Sequence, residues 1–144
     1  MYCDFHLHSS FSTDSDAPME KMVLQGIELG LPAMCFTEHM DLDFPSEEPE
    51  FLVDLPAYKN RFLELKEKYK DKIELYFGLE LGLQPHLKEE LPALSNSENF
   101  DFIIGSTHVV DHMDPYEKTF YQGRTEEESY RRYFEVLLEN LKLF

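Results

Sequence analysis

Six side chains of metal-ligating type fall at or near the ends of short apolar runs in this chain: His6, His8, Asp14, His39, Glu80 and His108. The densest group is Asp4-Phe5-His6-Leu7-His8. If that run is a β-strand, its period of two puts Asp4, His6 and His8 on one face. Two imidazoles so placed can bind one divalent ion without ordering a flexible loop, and Asp4 could orient one of them from behind. Taken alone, an H-x-H is equally well read as two polar residues where a strand meets solvent, and Asp14 as an Asx turn. The joint pattern is harder to dismiss, because each of four apolar runs delivers a ligand at the same end. Several histidines plus a carboxylate favour zinc, iron or manganese over calcium or magnesium alone.

These ligands need elements to position them. Pro18 suits a first helical turn capped by Asp16 or Ala17, and Met19, Met22, Val23 and Ile27 recur at helical spacing before Gly30 and Pro32 close the helix. Ala33 to Thr37 reads as a buried strand ending in Glu38-His39. Residues 41–55 are acidic and aperiodic, a loop long enough to sit over something. Asp54 and Pro56 then start a helix with an apolar stripe at Tyr58, Phe62, Leu65 and Tyr69. Ile73 to Leu81 is the third strand, Pro85 to Leu94 a shorter helix, and Phe102 to Ser106 the fourth strand. Thr125 and Glu128 form a capping box for a last helix, striped by Tyr130, Tyr133, Phe134, Leu137, Leu138, Leu141 and Phe144. A βα unit repeated four times, with near-continuous apolar strands, predicts a parallel sheet covered by helices. An open sheet and half of a closed barrel both fit, and in either one ligands collect at the C-terminal strand ends.

The chain has 144 residues, 42% of them hydrophobic, enough for one globular domain or a piece of one. Lys+Arg number 13 against 29 Asp+Glu, a net charge of -16, which repels a phosphate backbone and disfavours nucleic acid as partner while attracting divalent cations. Cys3 and Cys35 sit in apolar runs, so buried free thiols in a reducing cytoplasm are expected rather than a disulfide framework. No basic start leads into an apolar core and no apolar run approaches about 18 residues, so neither a signal peptide nor a membrane span is expected. Neither cysteine begins a loop ending in arginine, and there is no P-loop pattern, so hydrolysis here would rest on water rather than a protein nucleophile. Arg124 is a candidate for holding substrate phosphate. His86 and His112 read as solvent-exposed.

The motifs resemble those of the polymerase and histidinol phosphatase (PHP) domain: D-x-H-x-H at Asp4 to His8, T-E-H at Thr37 to His39, G-x-E at Gly78 to Glu80 and S-x-H at Ser106 to His108. Thr37-Glu38-His39-Met40-Asp41, Gly78 to Gly82, Gly105 to Asp111 and Tyr121 to Thr125 are similar to the histidinol-phosphatase branch. The resemblance implies a distorted (β/α)7 TIM-like barrel of α/β class, with four of its βα units in this chain and a trinuclear centre that hydrolyses phosphomonoesters. It further implies that His6, His8 and Glu80 share one ion, that Glu80 and His108 reach a second, and that Asp14 with His39 holds a third, with His6, His8, Glu80 and His108 nearest the chemistry. The later family motifs, a G-H-x-D after about the fifth or sixth strand and a D-x-H near the end of the domain, do not occur after His108, so residues 1–144 are expected to be the N-terminal part of such a domain, truncated relative to the family. A half barrel leaves its first and fourth strands as open edges, from which a homodimer or larger homo-oligomer is expected. The leading function is metal-dependent hydrolysis of a small phosphorylated metabolite, histidinol phosphate first, in histidine biosynthesis. A metal-binding fragment with little activity, or a nuclease of the same superfamily, are the alternatives.

Overall fold

The computed structural model describes residues 2–46 and 51–144. Eight principal elements alternate along the chain: β1 (Asp4–Leu7), α1 (Met19–Glu28), β2 (Ala33–Met40), α2 (Leu55–Tyr69), β3 (Glu74–Gly82), α3 (Glu90–Ser95), β4 (Phe102–Ser106) and α4 (Glu126–Leu143). The strands form one parallel sheet in the order β1-β2-β3-β4, so β1 and β4 are the edges, as the four βα units require. The sheet is strongly curled. In a flat sheet, strands three places apart are separated by about 14 Å. Here the Phe5 ring from β1 meets Phe102 from β4 at 5.5 Å and Tyr76 from β3 at 5.3 Å across the concave side. The fold is a curled half-barrel.

The central strands carry the core. β2 is buried at every position, and β3 at all but two. Tyr58, Phe62, Leu65 and Tyr69 of α2 pack onto their convex face, the stripe expected from the 3.6-residue period. Truncating a ring such as Phe62 to Ala would cost about 3–5 kcal/mol. The Tyr58 hydroxyl lies 2.9 Å from the carbonyl oxygens of both Phe36 and Gly78, which ties α2 to two strands. Asp54 caps α2 by accepting from the Ala57 backbone N–H at 3.0 Å, and the Thr125–Glu128 capping box of α4 is present in both directions.

Several expectations shift. α1 begins after Pro18, with no side-chain cap from Asp16 or Ala17. β2 runs on to Met40, so His39 lies inside the strand rather than beyond it, whereas Glu80 lies inside β3 as its expected bounds had it. Pro85 to Leu94 is not one helix but a 3-10 turn at Pro85–Leu87 followed by α3, because Pro92 lacks an N–H and its ring clashes with the carbonyl four residues back. Cys3, just before β1, is exposed rather than buried, while Cys35 is buried as expected, its thiol pushed up to about 12 first by burial. The stripe of α4 is mostly turned outward. Ser129, Val136 and Asn140 are buried instead, and Tyr130, Phe134, Leu138 and Leu141 are half or more exposed, because only one row of the helix packs on the segments that follow β3 and β4: Val136 clusters with Val110 and Phe120, and Asn140 donates to Leu83 O and Thr107 Oγ1. The loop expected over residues 41–55 crosses the C-terminal end of β2, where Asp41 N donates to Phe51 O and Val53 N to His39 O; its residues 47–50 lie outside the described residues. Among the described residues, no helix is long and apolar enough to cross a membrane.

Candidate metal centre

The site lies at the C-terminal end of the concave face. β2 and β3 place His39 opposite Glu80, and Glu80 is in turn opposite Ile104 of β4, four residues before His108. β1 reaches the site through an irregularity: Asp4 pairs with Met34 but Leu7 with Phe36, so β1 has one more residue than its partner over this span. Such a bulge breaks the simple alternation. It is why Asp4 does not orient an imidazole as expected: its Oδ1 accepts instead from the His6 backbone N–H at 3.2 Å, on the exposed side of the strand.

The structure gathers all six ligand candidates. Glu80 is the hub, with a side chain only 3% exposed. Its Oε2 lies 2.7 Å from His6 Nε2 and 3.1 Å from His8 Nε2, and its Oε1 lies 3.1 Å from His108 Nε2 and accepts from Ser106 Oγ at 2.6 Å. Asp14 Oδ2 comes to 3.5 Å from His39 Nε2, brought there by the loop after β1. The His8 and His39 rings stack with centroids 4.3 Å apart. Three overlapping sets follow, each with donor atoms within 4.8 Å of one another: His6, His8 and Glu80; His8, Asp14 and His39; His39, Glu80 and His108. Two nitrogen or oxygen donors about 2.1 Å from one tetrahedral ion stand about 3.4 Å apart. The donor chemistry and spacing fit divalent ions.

The electrostatics show how tightly these groups are coupled. Burial pushes the Glu80 carboxyl up, but His108, His8 and Ser106 outweigh it and hold it well below the usual carboxylate range. Burial lowers the His108 pKa, yet Asp41 and then Glu80 more than compensate and carry it up to about 10. His8 is also raised: burial opposes its charge, and Glu80 overcomes this.

Two carboxylates escaped the sequence reading. Glu38 is completely buried and accepts from Ser9 N at 3.0 and 3.1 Å, from Ser9 Oγ at 2.6 Å and from Ser12 Oγ at 2.6 Å. Ser12 Oγ in turn accepts from His39 N at 3.0 Å, so the loop bearing Asp14 is bound to β2. Asp41, 1% exposed, lies against the Nδ1 atoms of His39 and His108. The alternation Thr37-x-His39-x-Asp41 signalled that Asp41 shares the face of His39.

A cavity of about 570 Å³ opens beside His39, His108 and Asp14, walled by Phe44, Phe51, Tyr116 and Tyr133 and carrying Asp114. Arg124 is not among the residues around it. Its Nη2 donates to Asp111 Oδ2 at 3.4 Å and its guanidinium lies over the Phe120 ring. His86 and His112 are exposed, His86 pairing with Asp43 at 3.0 Å.

Comparison with known proteins places this arrangement. The PHP domain model matches residues 4–142. The histidinol-phosphatase of Lactococcus lactis subsp. lactis (strain IL1403) is 37% identical over 142 residues, covering 98% of this chain and 52% of that protein. The probable histidinol-phosphatase of Clostridium acetobutylicum is 34% identical over 142 residues, 99% of this chain and 53% of the relative. The chain therefore spans about half the length of the curated relatives it matches. Among solved structures, the Lactococcus lactis histidinol phosphate phosphatase complexed with zinc, L-histidinol and phosphate superposes with a TM-score of 0.93 at 37% identity, over 99% of this chain and 54% of that one. A putative histidinol phosphatase from Listeria monocytogenes, 20% identical over 98% of this chain and 60% of its own, shares the fold at a TM-score of 0.78. With four motifs at one end of a curled parallel sheet and a domain match along nearly its whole length, the chain belongs to the PHP domain family.

Proposed function

We propose that this chain carries the metal site of a phosphomonoesterase that hydrolyses histidinol phosphate to histidinol, a step of histidine biosynthesis. His6, His8, Asp14, His39, Glu80 and His108 would hold up to three divalent ions, zinc before iron or manganese. The observation that supports this reading best is the convergence of three imidazole Nε2 atoms on one buried carboxylate, Glu80, one of them from His108, which lines an aromatic cavity. The Lactococcus lactis relative, whose structure contains zinc, L-histidinol and phosphate, supports the choice of metal and substrate. Bound divalent ions would supply an activated water and a clamp on the phosphate oxygens.

The chain's own groups do the rest. Glu80 offers one oxygen to the His6 and His8 side and the other to the His108 side, the geometry of a bridging carboxylate. Asp14 closes the set at His39. Phe44, Phe51 and Tyr133 provide flat apolar walls for an imidazole ring, and Asp114 a negative charge for the amino group of histidinol. The net charge of -16 opposes a nuclease role, since a polyanion meets no basic approach surface. Free Cys3 and Cys35 suit a reducing cytoplasm.

A homodimer is the assembly we favour. Its support is the pair of open parallel edges, β1 and β4, beside the outward apolar row of α4. Among the described residues the three clusters share six groups, too few to give each ion three of its own, and a misplacement of about 1 Å can cost about a hundredfold in rate, so turnover by the chain alone is expected to be weak. The test is metal analysis after purification without chelator, followed by turnover of histidinol phosphate beside a generic aryl phosphate. Bound zinc with preference for histidinol phosphate is expected. Less than about a tenth of an equivalent of any transition metal, with none taken up from added zinc or manganese, sinks the metal site. Metal without turnover of either ester leaves the inactive-fragment reading in its place.

A further inference from the structure

We infer that Asp41 is a positioning residue that holds His39 and His108 together, both protonated on Nδ1, so that both rings present Nε2 to the ions. The inference rests on the metal-site reading above and deepens it. Each Asp41 oxygen takes one ring: Oδ2 lies 3.2 Å from His39 Nδ1 and Oδ1 lies 2.7 Å from His108 Nδ1. A carboxylate only accepts, so both Nδ1 atoms must donate, and each neutral imidazole is then left with its lone pair on Nε2. Those two Nε2 atoms are the ones facing Asp14 at 3.5 Å and Glu80 at 3.1 Å. Ligating histidines are commonly fixed by such a carboxylate behind the ring. Here one carboxylate serves two rings that belong to overlapping ligand sets, which couples the sets mechanically.

A second observation independently shows that the fold reserves space for this group. A Cβ built on Gly82 of β3 would stand 2.1 Å from Asp41 Oδ1 and 2.7 Å from its Cγ. Position 82 therefore accepts no side chain while Asp41 keeps its place. Asp41 is further pinned by its backbone N–H, which donates to Phe51 O at 2.8 Å, and it is 1% exposed.

A merely structural ion pair and a tautomer-setting carboxylate are separated by Asp41→Asn. Asparagine keeps the shape but has one acceptor and one donor group, so it can satisfy only one Nδ1–H. The other ring must move its proton to Nε2, where it blocks ligation. The experiment is a zinc titration with chelator competition, alongside 15N-resolved NMR of the imidazoles in the metal-free and zinc-loaded chain. Wild type should show Nδ1 protons on both His39 and His108. Asp41→Asn should lose one of them and weaken zinc about 10- to 100-fold at the sets containing His39. The His6, His8 and Glu80 set should stay within about threefold, an internal control. Gly82→Ala should reproduce the effect by displacing the carboxylate, and Asp43→Asn, on the surface beside His86, should change nothing. Zinc-loaded wild type with either ring protonated on Nε2 overturns the proposal whether or not the variants fold. So does unchanged zinc binding, within about twofold, in both Asp41→Asn and Gly82→Ala. The two Nδ1 protons are expected without metal too, so a wild type that takes no zinc counts against the phosphatase reading and not against Asp41.

Discussion

The two central strands and the two edge strands build one site by different means. His39 on β2 and Glu80 on β3 have side chains 10% and 3% exposed, and each is held by several groups: Ser12 and Asp41 for one, Ser106 and three imidazoles for the other. His6 on β1 is 56% exposed and has its Nε2 held by Glu80 alone, and His108 beyond β4 is 29% exposed. A donor on a central strand is oriented by neighbours on both sides, whereas a donor on an edge has a neighbour on one side and water on the other. The interior of the site is thus preorganised by the chain itself, while its rim depends on whatever pairs with β1 and β4. The outward row of α4, exposed beside the same edge, belongs with the rim.

The comparison breaks most severely at the hub. Replacing Glu80 by Ala removes a member of two ligand sets and leaves the part-buried His8 and His108 without their anion. Zinc affinity should fall by more than about a hundredfold, beyond the cost of losing an outer partner. Urea unfolding of the metal-free chain should show a loss of about 3–5 kcal/mol. A Glu80→Ala chain that retains its zinc would show that the edges, not the interior, hold the ions. By contrast, His6→Ala on the edge should cost zinc affinity at one set and little stability.

A pH titration sharpens the contrast without mutation. Folding raises the His108 pKa from 6.5 to about 10, so the folded metal-free chain holds that proton more firmly than the unfolded chain. The resulting stabilisation is full below about pH 6.5 and is lost as pH rises through about 10. The same proton competes with an ion, so zinc binding should tighten over the range in which the metal-free chain weakens. Urea midpoints with chelator, set beside zinc affinities at pH 7 and pH 9, measure both slopes. Slopes of the same sign would remove His108 from the ligand set.

The rim should respond least in metal affinity and most in assembly. Wild type at high concentration is expected to sediment as a dimer, and Phe134→Glu with Leu141→Lys to shift it to the 17.0 kDa monomer with zinc affinity unchanged. A clean wild-type monomer would end the dimer reading. His112→Ala, in the exposed turn after β4, should alter neither property by more than about twofold.

The residues that sequence reasoning found and those it missed divide along the same line. The ligand types at His6, His8, His39, Glu80 and His108 were legible because each follows or ends an apolar run, and a parallel βα order sends all such ends to one side. Helix α2 was legible from its stripe and Asp54, and α4 from its capping box. Asp41 and Glu38 stood in the quoted Thr37 to Asp41 motif but were given no role, since the strand period places an acid on a face without saying which distant side chains it will meet there. Arg124 was singled out for the fit of a guanidinium to phosphate, and the structure places it outside the cavity lining with Nη2 on Asp111 Oδ2.

What the sequence determines by itself is local: hydrophobic period, capping chemistry, and the order in which ligand types follow the strands, because these depend on residues within a few positions of one another. What only the tertiary structure decides is long-range. The bulge in β1 turns Asp4 away from the imidazoles, the curl of the sheet brings His6 to Glu80 across 74 positions, and one carboxylate lies between His39 and His108 only because Gly82 has no side chain. Burial and hydrogen-bond partners are properties of the assembled sheet. They decide which acid stands among the imidazoles, which lies behind one, and which merely faces water.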